Sequence, residues 1–189
     1  AHDRAGGCGG CSLLHAEAKG AAGFKANALA AVLDRAGVAP AVFDAPRVPG
    51  NGLGYRNHTR FLVTERGRLA YVARSDAEGP RRRAKIPIDA CPILHPALES
   101  LRARIDGRMA GATEVELRVG VATGEKLLLI EAASLPAGFD PSSLDASVVL
   151  RRKDGSLQPF RGTPMVHEEV AGTRFRISAG SFFQVNTGG

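Results

Sequence analysis

The 189 residues are 44% hydrophobic and only 5% aromatic, with a formal net charge of +6, which excludes a disordered chain and allows one ordinary core with or without a small appendage. No run approaches the roughly 18 apolar residues that span a bilayer, and no basic stretch followed by an apolar one marks a signal peptide, so a cytoplasmic protein with no membrane partner is expected. A sequence pI near 9.7 is compatible with a polyanion such as nucleic acid, without the aromatic richness of a single-strand stacking protein.

In chain order, the first feature is Cys8-Gly9-Gly10-Cys11. From Leu13 to Ala36 the chain is rich in Ala, Leu, Lys and Glu, and Phe24, Ala28, Leu29, Val32 and Leu33 share one helical face. Gly20 and Gly23 each cost this helix roughly 1 kcal/mol relative to Ala; Gly37 stops it, with Pro40 behind. Residues 39–54 carry three Pro and three Gly, which predicts a connector. Thr59 to Val63 and Arg68 to Val72 then flank a Thr64-Glu65-Arg66-Gly67 turn, a predicted hairpin. A basic stretch, Arg81, Arg82, Arg83 and Lys85, leads to Cys91. Beyond it Leu94, Leu98, Leu101 and Ile105 predict a second helix ending at Gly107. Val115, Leu117, Val119 and Val121 alternate ahead of a Thr123-Gly124 turn and Lys126 to Ala132, a second hairpin. Val148 to Arg151 and Ser156 to Phe160 around Asp154-Gly155 make a third. Thr173 to Ser178 alternates once more. The fold class expected is α+β: an antiparallel, hairpin-rich, barrel-like sheet domain with two main helices.

Cys8, Cys11 and Cys91 are the only cysteines, and an odd number with two in a C-x-x-C argues against a secreted disulfide framework and for metal or redox chemistry. Glycines between the first pair let the backbone fold around a bound inorganic centre. Iron-sulfur and zinc both take thiolates from such loops, and a pair of buried cysteines plus an unrelated third is the plainer alternative. A four-thiolate cluster requires one more ligand than the chain contains.

Four stretches, taken together, resemble the 5-methyluridine-forming RNA methyltransferase family. Cys8-Gly9-Gly10-Cys11 with Leu13, Leu14, His15 and Lys25 is similar to its C-G-G-C and following helix. Leu53-Gly54-Tyr55-Arg56-Asn57-His58-Thr59-Arg60-Phe61 resembles its G-Y-R-N-x-x-R strand, and Cys91-Pro92-Ile93-Leu94-His95-Pro96-Ala97-Leu98 its C-P-x-L-x-P-x-L segment. Phe175 to Asn186 resembles the F-x-I-x-x-x-S-F-F-Q-V-N stretch that leads into the methyl-transfer domain.

The resemblance implies that Cys8, Cys11 and Cys91 ligate a 4Fe-4S cluster, as in the ribosomal-RNA branch of the family, with the fourth ligand a cysteine upstream of Ala1 or His2. It implies S-adenosylmethionine as methyl donor, with Gln184 near it, and an RNA substrate, ribosomal in this branch, contacted by Arg56, Arg60, Phe182, Gln184 and Asn186. The protein is expected to act as a monomer. The nucleophilic cysteine and the base carboxylate of the family belong to a Rossmann-like domain that the resemblance places after Asn186, so this chain alone is expected to be inactive. The chain lacks an initiator Met and stops just after a strand-like stretch, and both ends read as cuts. The organisation expected is a cysteine loop (1–18), a helix and connector packing on the methyl-transfer domain (19–45), the sheet domain (46–180), and the start of the next domain (181–189). A noncatalytic zinc or iron-sulfur RNA-binding module and a thiol oxidoreductase are the rival readings.

Overall fold

Apolar residues at every second position of Thr59–Val63 and Val115–Val119 build the middle of the sheet, because such alternation lets one face of a strand bury while the other stays polar. In the computed structural model, which describes residues 8–11, 13–38, 52–73 and 84–187, seven strands form one sheet. They are β1 (His58–Val63), β2 (Leu69–Val72), β3 (Lys85–Pro87), β4 (Glu114–Val119), β5 (Lys126–Glu131), β6 (Ser147–Arg151) and β7 (Leu157–Arg161), in the order β3-β2-β1-β4-β5-β6-β7. A separate hairpin pairs β8 (Met165–Val170) with β9 (Thr173–Ser178). The helices are α1 (Ala18–Arg35) and α2 (Pro96–Ile105). His2 and Arg81 to Arg83 lie outside the described residues.

The three predicted hairpins form, at β1–β2, β4–β5 and β6–β7. Two expectations change. The sheet is not wholly antiparallel, because β5 and β6 run parallel: the 132–146 connection, with a 3-10 turn at Pro141–Ser143, carries the chain back to the starting end. Nor do the described residues form a barrel, since β3 and β7 remain at opposite ends of an open order. Two strands escaped the sequence reading. Lys85–Pro87 is short and basic, and Met165–Val170 carries His167, Glu168 and Glu169 where alternation would be read.

Each face of the sheet is covered differently. On one, Phe61, Val63, Val115, Leu117, Leu128, Ile130, Val148 and Leu150 pack with Leu98, Leu101 and Ile105 of α2 and with Cys8 and Cys91. α2 starts where His95 caps it, the ring Nδ1 accepting from the Ala97 amide at 3.3 Å, and Pro96 fits a first turn that has no partner for an N–H. On the other face Leu127, Leu129 and Val149 meet Val166 and Ile177 of the β8–β9 hairpin, with Ala179 and Phe183 at the margin. α1 forms where predicted, but none of its residues is buried. Phe24, Leu29 and Val32, expected on a packed face, are at least half exposed.

Candidate functional site

Strand register decides which side chains meet. In the β1–β4 pair His58 lies opposite Arg118 and Arg60 opposite Glu116, so these four, with Glu114, share the face on which Leu127 and Leu129 also lie. Read from sequence, Glu114, Glu116 and Arg118 occupy the water-facing positions of an alternating strand. The structure instead lays the segment after β9 over them, and Glu116 and Arg118 are 3% and 1% exposed. Arg118 donates from Nη2 to the Ser181 carbonyl at 2.6 Å and lies 3.6 Å from Glu116 Oε1. On the other side of Glu116, His58 Nε2 approaches Oε1 at 3.0 Å, and Arg60 spans Glu114 and Glu116, each at 3.4 Å. The His58–Glu116 approach is close but not in line for a hydrogen bond, and Arg118 Nε and Asn57 Oδ1 are buried without a partner among the described residues.

Burial would raise the Glu116 carboxyl, but the His58 ring against it and the charges of His58, Arg118 and Arg60 outweigh burial and bring it down to about 2. Burial lowers the Arg118 guanidinium from its ordinary value, against the pull of Glu116.

The same segment is fastened again four residues further on, where the Asn57 amide donates to the Val185 carbonyl at 2.9 Å. Between these two anchors the side chains separate as an extended chain requires. Phe183 tucks in beside Phe175, ring centroids 5.6 Å apart. Phe182 is 84% exposed. Gln184 and Asn186 are exposed too, although Gln184 stands between the apolar Phe183 and Val185. A third fastening comes from Glu168, 1% exposed, whose carboxylate accepts from the Val121 and Ala122 amides at 2.7 and 2.9 Å and, at 3.5 Å, from Thr187 Oγ1. Sequence reasoning missed Glu116, Arg118 and Glu168. The one available signal was an uninterrupted charge ladder on β4, which also describes an ordinary solvated face.

Arg56 and Arg60, which the resemblance assigns together to RNA contact, diverge. Arg56 precedes β1, in a bridge to Leu94, so strand alternation does not reach it. Its charge instead bears on Cys11 and Tyr71, on the α2 side of the sheet. Arg60 joins the other face through Glu114 and Glu116.

The three cysteines do come into one neighbourhood. Cys8 bridges to Ala73 and Gly9 donates to the Val72 carbonyl at 3.0 Å, which holds the C-x-x-C loop at the end of β2. Cys91, just ahead of α2, joins Cys8 in the same core, with Cys11 packed against it. Burial, then the neighbouring Cys8, raises the Cys11 thiol, and burial raises Cys91. Thiols so placed stay protonated unless a cation draws the charge out. Among the described residues, however, no three Cys, His, Asp or Glu side chains converge as ligands of a metal ion. The set thus fits an inorganic centre in residue type and neighbourhood, but is not a complete donor set.

No family model matches the chain. An uncharacterized RNA methyltransferase of Parasynechococcus marenigrum is 28% identical over 218 residues, 95% of this chain and 45% of that protein. A second, from Thermosynechococcus vestitus, is 28% identical over 95% of this chain and 46% of its own length. The chain is similar, almost end to end, to RNA methyltransferases. A tRNA (uracil(54)-C(5))-methyltransferase of Pyrococcus furiosus is 26% identical over 95% of the chain and 46% of that protein. The fold is shared with the crystal structure of the Pyrococcus abyssi tRNA (uracil-54, C5)-methyltransferase in complex with S-adenosyl-L-homocysteine. That match has a TM-score of 0.67 at 20% identity and covers 95% of this chain and 48% of that one. The chain therefore spans about half the length of the proteins it matches. No helix among the described residues is long and apolar enough to cross a membrane.

Proposed function

We propose that this chain is the RNA-handling segment of an S-adenosylmethionine-dependent RNA uracil-C5 methyltransferase that acts in the cytoplasm as a monomer, on ribosomal RNA. The observation that carries this reading is the 181–187 segment. It is fastened by its backbone at Ser181 and Val185, yet it presents Phe182, Gln184 and Asn186 outward. A base must leave its stack to be methylated, at a cost of a few kcal/mol, and a pocket offsets that with stacking and hydrogen bonds. Phe182 supplies an apolar ring for the flipped uracil, and the Gln184 and Asn186 amides supply donors and acceptors for its edge and for the methyl donor. Arg60 and, from the cysteine side, Arg56 meet phosphates.

On this reading the nucleophilic thiol and the base carboxylate of the reaction lie outside the 189 residues, which alone do not turn over. The exposed Phe24, Leu29 and Val32 support the packing of α1 on the rest of the full-length protein, since an apolar helical stripe is stable when covered. For the cysteines we favour an iron-sulfur centre; the neighbourhood of Cys8, Cys11 and Cys91 supports it, and no step above depends on it.

The test is incubation of the full-length protein with labelled S-adenosylmethionine and, separately, ribosomal and transfer RNA, with nucleoside mass spectrometry. 5-Methyluridine in ribosomal RNA is expected. Label in transfer RNA alone overturns the ribosomal assignment, and label on no uridine overturns the activity. Iron and sulfide in the anaerobically purified protein are expected; stoichiometric zinc instead would favour a noncatalytic zinc module.

A further inference from the structure

We infer that Arg118, oriented by Glu116, is a positioning residue that sets the 181–187 segment in register for the base it receives. This rests on the reading of that segment given above. The side chain does not touch the place where a base would lie; it acts through the Ser181 carbonyl, which it holds at 2.6 Å one residue before the outward Phe182.

An arginine is a poor choice for stability at this position. Its cross-strand neighbour in β5 is Leu127, which belongs to an apolar cluster, and a buried ion pair is often no more stabilising than well-packed apolar side chains of the same volume. The guanidinium is among the most fully buried large side chains of the protein, and its Nε has no partner among the described residues. What the pair supplies is direction. Arg118 Nη2 donates to one backbone oxygen, the Glu116 carboxylate lies 3.6 Å from that same nitrogen as its counter-charge, and His58 and Arg60 flank the carboxylate from its other side. A chain gripped at Ser181 and again at Val185 has its three intervening side chains fixed in alternation, outward, inward, outward. Loss of the first grip lets the segment slide or twist, and Gln184 loses its address although its chemistry is unchanged.

The test compares the full-length protein with the volume-conserving double variant Glu116→Leu/Arg118→Met, by hydrogen exchange resolved at the Asn57 amide and by steady-state methylation. Exchange at Asn57, bonded to Val185, is expected to rise about tenfold or more while the amides of β5 keep their protection. The thermal midpoint is expected to hold or rise, and kcat to fall about tenfold with KM for RNA within about twofold. A wild-type exchange rate at Asn57 in an otherwise folded double variant overturns the inference. So does equal loss of protection in β5, once Arg118→Lys, which keeps the charge but not the fork of donors, behaves the same way. If the wild-type protein methylates no uridine, the functional reading fails, and the exchange measurement still decides whether Arg118 holds the segment.

Discussion

At the scale of single residues, the buried charges are where small changes have large effects. Replacing Glu116 by Gln leaves the fully buried Arg118 without its counter-charge, and breaking such a pair costs about 3 kcal/mol or more; chemical denaturation of the variant is expected to show a loss of that size. The pH dependence has a definite sign. The folded carboxyl sits at about 2 against an ordinary 4.5, so between these values the unfolded chain binds the extra proton. The contribution of Glu116 is complete above about 4.5 and drains away as pH falls toward 2. Wild-type stability should fall across that interval, and Glu116→Gln should flatten the fall; parallel curves would count against the pair. Gly120 is a second sensitive point, because a Cβ there would overlap the His167 carbonyl oxygen and crowd the Thr123 hydroxyl. Gly120→Ala is expected to cost about 2 kcal/mol or more, the range of core overpacking, and to lower the thermal midpoint accordingly.

At the scale of elements, the helices and hairpins divide by what supports them. α2 is written into the sequence twice, in the Leu98, Leu101 and Ile105 spacing and in the His95-Pro96 start. α1 was legible as a helix for the same reason, but its partner was not: periodicity shows which face wants cover, never what covers it. Because Leu29 and Val32 are exposed, Leu29→Ser and Val32→Ser should change the stability of this 189-residue chain by no more than about 0.5 kcal/mol. In the full-length protein the same changes should destabilise if α1 packs on the remaining half. The limit of alternation is visible on β4 as well. It located the strand but could not show that Glu116 and Arg118 are buried, because the cover arrives some sixty residues later, from Ser181. β8 stayed hidden because its buried position Glu168 is a carboxylate satisfied by the Val121 and Ala122 amides, a bond that no local pattern announces.

At the scale of the whole molecule, the sheet separates two chemistries. The thiols and Arg56 lie on the α2 side, and the Arg60, Glu116 and Arg118 network lies under the 181–187 segment on the other. The motifs named the thiols, Arg56 and Arg60; only strand register revealed that they are divided between opposite faces and that Glu116 and Arg118 belong with Arg60. A uridine delivered to the second face should depend on Gln184 for chemistry more than for grip. In the full-length protein, Gln184→Ala is expected to lower methylation at least about tenfold while RNA binding changes little, and equal losses in both would give Gln184 a general binding role. The measurement closest to the central claim is photo-crosslinking of an RNA hairpin carrying 5-iodouridine to the full-length protein, with the adduct located by peptide mass spectrometry. Adducts within Phe182 to Asn186 are the result this account predicts; adducts confined to other surfaces, such as the groove lined by Lys126, Arg161 and His167, would contradict it.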